Sequence, residues 1–446
     1  MPRLLLALCA LLLFAAPTRA QDDDRPRNVI VMIADGFGPA SATLAREFSG
    51  APLAFDEILR GVVRTASSSS RVTDSAASAT SYASGVKTYN GAIGVDSLQR
   101  PVGTVLEAAE ARGMATGLVA TSRITHATPA AFAAHVPYRG AEDEIAAQMV
   151  AQGVDVILGG GRRHFVPGDA AGVRTDGRDL LAEARAQGVA VVEDRAGFEG
   201  VTETPVLGLF AADHLDYEID RTDQPSLAEM TRTALALLDG DEDGFFLLVE
   251  GSRIDHAAHA NDPVGHVHDI LAYDAAVRVA LDFARADGRT LVLSTADHET
   301  GGMTLGRDGV YAWDPAVLAR VRASADRMAA LIGEGQLAAD VLRDFAAVDS
   351  LSAEERTAIE RSGPGPFTVA RDRAIGEAVS RRAHVGWTTG GHTGIDVGLY
   401  AFGPGAAAFH GAMEIDAVGR ALADVLGFDL APITERLRTA GAAGSR

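Results

Sequence analysis

Cysteine and positive charge are both scarce in this chain of 446 residues. The single cysteine, Cys9, lies in an apolar run near the N-terminus. Forty Lys and Arg residues stand against sixty Asp and Glu residues, so the formal net charge is −20. A strongly acidic protein repels nucleic acids and anionic membranes at long range. The charge therefore argues against a nucleic-acid role, and an anionic substrate would need positive charge concentrated locally, as metal ions provide.

Long apolar runs are also missing. The longest, from Leu4 to Ala16, has 13 residues, fewer than the roughly 20 that a bilayer span requires. Arg3 precedes this run and Pro17 to Ala20 follow it, which predicts a signal peptide over residues 1–20. Its removal takes away Arg3 and Arg19, so the net charge changes from −20 to −22 and no cysteine remains. We expect an exported protein, periplasmic or secreted, with no stable membrane insertion.

The remaining sequence has an ordinary globular composition, with 47% apolar and 22% charged residues. Apolar runs typical of buried strands alternate with segments of helical periodicity. The predicted strands cover 28–33, 116–120, 154–158, 189–192, 245–249, 290–294 and 397–401, and the predicted helices cover 103–112, 141–152, 178–187, 226–238 and 263–285. This alternation predicts an α/β fold with a largely parallel central sheet sandwiched by helices.

The alternation stops over residues 309–382, which are rich in Ala and Arg and helical in pattern. We interpret this segment as a helical insertion, with a break at Ser362 to Pro366. The α/β domain then occupies 21–308 and 383–439, and residues 440–446 form a small, polar tail that we expect to be frayed.

Polar side chains follow the predicted strands directly. Asp35, Glu250, and the pair Asp297 and His298 stand at or just beyond three strand ends, and the loop 121–128 follows a fourth. Open parallel sheets bind ligands at the carboxyl ends of their strands. We therefore expect these groups to converge.

The same region has the side chains of a cysteine-free metal site. Asp255 and His259 are four residues apart, so they share one face of a helix, and His392 stands in a separate glycine-rich segment. Carboxylates and imidazoles suit zinc, and Asp35 is a hard ligand that can bridge two ions. Each residue taken alone is equally typical of a cap or a turn, and only the combination favours metal binding.

Ser75 stands at the start of an Ala-rich helical pattern. A serine there is typical of a helix cap, but beside a metal it could also act as a nucleophile. No Gly-x-Ser-x-Gly motif is present, which argues against an α/β-hydrolase. The LGGG segment at 158–161 lacks the Lys-Ser/Thr ending of a nucleotide loop, so we interpret it as a structural turn.

The segments around Ser75, VTDSAASAT at 72–80 and GVKTYNG at 85–91, resemble the alkaline phosphatase family around its nucleophilic serine. Further family-like segments follow in order at 33–38, 125–131, 134–136, 158–161, 249–251, 254–255, 258–259, 295–298 and 391–394. The resemblance covers nearly all of the chain after residue 20 except the insertion, which falls where the family carries variable, crown-like additions.

This resemblance implies a phosphomonoesterase in which Ser75 attacks phosphorus and becomes a phosphoserine that water then hydrolyses. It implies two zinc ions and one magnesium ion. The first zinc would be held by Asp255, His259 and His392, the second by Asp35, Asp297, His298 and Ser75, and the magnesium by Asp35, Thr128 and Glu250. Arg139 matches the family's phosphate-binding arginine, whose planar fork suits two oxygens. Small phosphomonoester substrates, inorganic phosphate and a homodimer are also implied.

Two positions depart from the best-known bacterial pattern. His126 stands where many bacterial members have Asp, and His256 stands where they have Lys. His256 could reach the phosphate through water, and His126 could alter the magnesium site. Four other histidines match no family ligand, and we expect them at the surface: His164, His214, His266 and His268.

Two other functions compete with this interpretation. A sulfatase or phosphodiesterase would use a similar two-metal site, but the sequence after Ser75 lacks the Pro and Arg of the sulfatase motif, and Arg139 argues against a diesterase. An exported binder of metal or phosphate would keep the ligands without needing a nucleophile. The complete motif around Ser75 favours the enzyme.

Overall fold

A ten-stranded sheet forms the centre of the structure, a computed structural model that describes residues 25–361 and 370–444. The predicted signal peptide and the predicted break at Ser362 to Pro366 lie outside these residues. The strands are β1 (Asn28–Ala34), β2 (Leu59–Arg64), β3 (Ala115–Arg123), β4 (Val156–Gly160), β5 (Ala190–Val192), β6 (Val206–Leu209), β7 (Phe245–Gly251), β8 (Thr290–Ala296), β9 (Glu299–Thr300), β10 (Met303–Leu305), β11 (Val385–Trp387), β12 (His392–Thr393), β13 (Val397–Phe402) and β14 (Gly411–Glu414).

Helices surround this sheet. They are α1 (Pro39–Ser49), α2 (Ser75–Ser84), α3 (Val105–Glu110), α4 (Ala127–Ala133), α5 (Glu142–Gln152), α6 (Leu180–Ala186), α7 (Arg195–Glu199), α8 (Leu227–Leu238), α9 (Arg253–His259), α10 (Pro263–Asp287), α11 (Pro315–Leu318), α12 (Ala325–Gly333), α13 (Ala338–Ala346), α14 (Ala353–Arg361), α15 (Ala370–Ala383), α16 (Ile415–Leu426) and α17 (Ala431–Gly444). None of the described helices is long and apolar enough to cross a membrane.

The strand order is β14–β2–β13–β8–β1–β7–β3–β4–β6–β5, and only β13 runs antiparallel to its neighbours. Strands β1, β7 and β8 are buried along their whole length because helices cover both faces of a parallel sheet. The predicted α/β fold with a largely parallel sheet is confirmed. Each predicted strand forms. Of the ten strands in this sheet, β2, β6 and β14 were not predicted, since they are short or alternate between exposed and buried positions.

The helices begin where local hydrogen bonding predicts. The Ser226 hydroxyl accepts the Glu229 N–H at 3.2 Å, and the Glu229 carboxylate accepts the Ser226 N–H at 2.7 Å, which caps α8. Of the segment predicted as a turn at 158–161, Leu158 to Gly160 instead form the end of β4. Only Gly161 turns the chain, with a φ of 91° and an N–H that donates to the carbonyl of Asp213.

The described part of 309–382 contains α11 to α14 and all but the end of α15. The chain enters this segment through β10 and returns through β11, and these two strands pair antiparallel, with Met303 opposite Trp387. Helix α15 packs against α11, α12 and α14. The C-terminal helix α17 continues to Gly444 and so includes most of the segment predicted as a tail.

Candidate metal centre and active site

Three neighbouring central strands deliver acidic side chains to one edge of the sheet. Asp35 follows β1, Glu250 lies at the end of β7, and Asp297 and His298 follow β8. All four residues have no exposed surface. Because β1 pairs in parallel with both β7 and β8, their carboxyl ends meet, as the sequence predicted.

Asp35, Asp297 and His298 form one cluster of possible metal ligands, with one ligand atom from each within 4.8 Å of the others. His298 Nε2 lies 3.2 Å from Asp297 Oδ2 and 3.5 Å from Asp35 Oδ1. Both Asp35 oxygens and Asp297 Oδ2 are buried without a hydrogen-bond partner. Buried carboxylate oxygens are normally paired, so these atoms fit a cation.

Asp255, His259 and His392 form a second cluster. Asp255 and His259 lie one turn apart on α9, and His392 comes from β12. The Nδ1 atoms of the two histidines contact the carbonyl oxygens of Gly390 at 2.7 Å and Thr73 at 2.9 Å. Those contacts direct the two Nε2 atoms toward each other, 3.1 Å apart, as a shared metal would require.

The third cluster consists of Asp35, Glu250 and His126, so Asp35 belongs to two clusters. The sequence placed Thr128 in this site and His126 only near it. Thr128 Oγ1, Glu250 Oε1 and His126 Nδ1 are buried atoms without a hydrogen-bond partner. The ligands predicted from the sequence for this site were all oxygen atoms, and the structure places the His126 imidazole among them.

Burial and crowding of charge perturb the ionisable groups of all three clusters. Burial, followed by repulsion from neighbouring carboxylates, raises the pKa of Asp35 strongly, that of Glu250 to about 7 and that of Asp297 to about 6. The Asp255 carboxylate raises the pKa of His259 to about 9. Burial and the nearby His392 lower the pKa of His298. The clusters thus concentrate negative charge that bound cations would balance.

Ser75 is the first residue of α2 and is almost completely buried. The cap of this helix is Asp74, whose Oδ1 accepts the Ala77 N–H at 3.0 Å. The Ser75 hydroxyl instead lies 3.2 Å from His298 Nε2, against the Asp35 cluster. The alternative that Ser75 serves as the cap is therefore wrong, and its hydroxyl faces the candidate metal site.

Arg139 contacts Asp74, the residue before this serine, and is partly exposed. Its Nη1 donates to Asp74 Oδ2 at 3.1 Å, and its Nη2 lies 3.0 Å from His126 Nε2. Asp74 Oδ2 also accepts the Gly91 N–H at 3.0 Å. Asp74 was not among the candidate site residues predicted from the sequence, although an Asp directly before a helix is a recognisable capping signal.

His126, His256 and His214 pack together, with ring centroids 4.3 to 5.6 Å apart. Burial and the adjacent Arg253, whose Nη1 lies 3.0 Å from His256 Nδ1, lower the pKa of His256 to about 3. Burial and His256 also lower the pKa of His214. The prediction that His214 lies at the surface is wrong, because the loop at 211–216 folds over the end of β3 and brings it to this cluster.

The surface prediction also fails for His266 and His164. His266 has no exposed surface, and its ring nitrogens contact the Ile254 carbonyl and the Ser41 hydroxyl, each at 2.9 Å. His164 is buried against Asp143 at 2.8 Å. His268 is half-buried and packs against the Phe48 ring. Among the described residues, none of these three histidines joins a candidate metal cluster, and neither does His214.

A family model for alkaline phosphatase matches residues 26–428. The chain belongs to the alkaline phosphatase family. It is 40% identical to the repressible alkaline phosphatase of Saccharomyces cerevisiae over 93% of this chain and 84% of that protein. The chain is also similar to the structure of the Thermus thermophilus alkaline phosphatase, at 32% identity and a TM-score of 0.84. The alignment covers 94% of this chain and 96% of that one.

A second alkaline phosphatase structure, a histidine-to-aspartate variant of the TAB5 enzyme, has Mg bound in its M3 site. It is 28% identical to this chain, covers 91% of it and 99% of its own length, and has a TM-score of 0.67. The alkaline phosphatase family is metal-dependent, and the chain is a phosphomonoesterase of this family. The expected family, fold and enzyme class are confirmed.

Proposed function

We propose that this alkaline phosphatase hydrolyses phosphate monoesters through a phosphoserine on Ser75, at a site that holds two zinc ions and one magnesium ion. The observation that carries the proposal is the position of the Ser75 hydroxyl, 3.2 Å from His298 in the Asp35 cluster. In the two clusters that contain Asp35, six buried ligand atoms have no hydrogen-bond partner, which supports bound cations there. In the Asp255 cluster, the two facing histidine Nε2 atoms support a bound cation.

The ligand chemistry supports the following distribution of the ions. Asp255, His259 and His392 would hold one zinc, and Asp35, Asp297 and His298 would hold the second together with Ser75. Asp35, Glu250 and Thr128, with His126 beside them, would hold magnesium, which prefers oxygen ligands. Bound there, the cations would supply positive charge that stabilises the serine alkoxide and the phosphate oxygens in an otherwise acidic protein.

The residues of the chain then perform the following steps. Arg139, held by Asp74, binds two phosphate oxygens and turns phosphorus toward Ser75. The Ser75 oxygen forms a bond to phosphorus while the ester P–O bond breaks and the alcohol departs. Water then attacks the phosphoserine, the Oγ–P bond breaks, and inorganic phosphate leaves. His256 would contact the phosphate through water.

Export and dimerisation complete the proposal. The sequence at 1–20 supports export to the periplasm or the medium, and N-terminal sequencing of protein from those fractions would test cleavage after Ala20. A homodimer is supported by family resemblance. Light scattering at several concentrations would test it.

The central experiment compares an aryl phosphomonoester with its matching diester at alkaline pH. The protein is assayed as prepared, after chelation, and after zinc and magnesium are returned. Metal-restored turnover of the monoester with little turnover of the diester is the expected result. Preferred diester hydrolysis would overturn the proposed substrate class, and no turnover of either ester would favour a metal- or phosphate-binding protein.

A further inference from the structure

Helix α15 of the insertion reaches the second ligand cluster. Arg373, near the start of this helix, donates from Nη2 to the backbone carbonyl of His259 at 3.0 Å. His259 is a member of the cluster with Asp255 and His392. A residue 114 positions away in sequence therefore contacts the backbone of a candidate metal ligand.

The same guanidinium lies against Gly390. A Cβ atom added to Gly390 would overlap Arg373, whose atoms are its three nearest neighbours. The Gly390 carbonyl contacts His259 Nδ1 at 2.7 Å and so fixes the orientation of that ring. Arg373 thus packs on both backbone segments that orient the His259 imidazole.

A second set of contacts seats the insertion on the same region. A Cβ atom on Gly376 would overlap the Asn261 carbonyl, so α15 packs closely there. The Asn261 side chain donates to the carbonyls of Ala258 at 3.0 Å and Thr389 at 2.9 Å. It therefore ties the segment after His259 to the segment before His392.

We propose that Arg373 is a positioning residue for this metal site, and that the helical insertion is part of the metal-binding structure. The inference rests on the proposed function in one respect, namely that Asp255, His259 and His392 bind zinc. Arg373 holds the 258–261 and 389–391 segments together, which keeps Nε2 of His259 facing Nε2 of His392. Removing a residue that orients a metal ligand without itself contacting the metal typically lowers metal affinity by about 10- to 100-fold.

The test uses four variants: Arg373→Met, Gly390→Ala, the double variant, and Arg381→Met as the matched control. Arg381 is on the same helix, is exposed, and pairs only with Glu377 among the described residues. Gly390 does not have a left-handed backbone, so its replacement by Ala acts through the overlap with Arg373. A fifth variant, Arg373→Lys, tests rescue by the conservative change.

The main readout is the rate at which zinc-loaded protein loses metal to a coloured chelator. A cobalt-loaded sample reports ligand geometry through its visible spectrum, and the thermal unfolding of metal-free protein checks the fold. We expect R373M to release one equivalent of zinc about tenfold faster and to change the cobalt spectrum, with the metal-free Tm unchanged. We expect G390A to have a similar effect, R373K to restore part of the loss, and R381M to match the parent.

The double variant separates positioning from general destabilisation. If both single changes act through the same contact, their effects on zinc release are not additive. Additive effects, or zinc release by R373M as slow as in the parent, would overturn the inference. Failure of the parent itself to bind zinc would instead overturn the proposed metal site.

Discussion

Asp74 connects three parts of the active site through one carboxylate. Its Oδ1 caps the helix that begins with Ser75, and its Oδ2 accepts hydrogen bonds from Arg139 and from the Gly91 backbone. The proposed nucleophile and the proposed phosphate ligand are therefore oriented by the same side chain. Asp74, which neither attacks nor binds the phosphate in this proposal, therefore sets the distance between Ser75 and Arg139.

Replacing Ser75 by Ala tests the nucleophile directly. We expect S75A to lose monoester hydrolysis by about a thousandfold or more, because no phosphoserine can form, while it still binds zinc through Asp35, Asp297 and His298. The measurements are initial rates and metal analysis of the same sample. Ser84→Ala, on the same helix but at its far end, is the control and should retain activity. Comparable turnover by S75A would contradict the mechanism.

His126 is the residue that distinguishes the third cluster. Its imidazole lies with Asp35 and Glu250, where an oxygen ligand would suit magnesium better. We expect the parent to depend on added magnesium and His126→Asp to bind it more tightly, by on the order of tenfold. Magnesium titration of chelated, zinc-restored protein measures this. Activity of the parent that is indifferent to magnesium would refute the hypothesis.

At the scale of helices and strands, the sequence correctly predicts the features that depend on residues close together along the chain. The strand ends that carry Asp35, Glu250 and Asp297 follow from continuous apolar runs, and the Asp255–His259 pair follows from helix periodicity. The burial of His266 could not be predicted in this way. It depends on the Ser41 hydroxyl, which is 225 positions away and comes from another helix.

The long helix α10 carries a buried carboxylate whose titration should be measurable. Asp269 is 4% exposed and accepts the Glu218 N–H at 3.1 Å, and burial raises its pKa to about 7 although Arg221 and Arg253 oppose the shift. Its unfolded pKa is about 3.9. Between these two pKa values, Asp269 is protonated in the folded state and ionised in the unfolded state. The stability that this proton contributes is therefore fully present below about pH 4 and is lost as pH rises through about 7.

Asp269→Asn should therefore raise stability relative to the parent more at pH 8.5 than at pH 5, with a difference between the two pH values of about 1–3 kcal/mol. Thermal unfolding of both proteins at the two pH values measures the difference. Asp282→Asn, at an exposed position of the same helix, should give no pH-dependent difference. Equal effects of D269N at both pH values would contradict the prediction.

At the scale of the whole molecule, the acidic clusters link stability to metal content. In metal-free protein, Asp297 and Glu250 have pKa values raised to about 6 and about 7, so their ionisation weakens the fold as pH rises through that range. Cations bind the folded state and offset this loss. We expect the Tm difference between metal-loaded and metal-free protein to be larger at pH 8.5 than at pH 5.5. A difference that is the same or smaller at pH 8.5 would argue against cations at these carboxylates.

The pairing of β10 with β11 has a consequence for how this chain could change over evolution. Because the insertion leaves and re-enters through adjacent paired strands, segments of different length can be exchanged there without altering the order of the sheet. If Arg373 orients His259, a replacement segment must bring its own group to that carbonyl. Exchange of the insertion would then preserve the sheet but would be limited by the need to retain the metal. Enzymes with a replaced insertion could therefore be selected for metal retention.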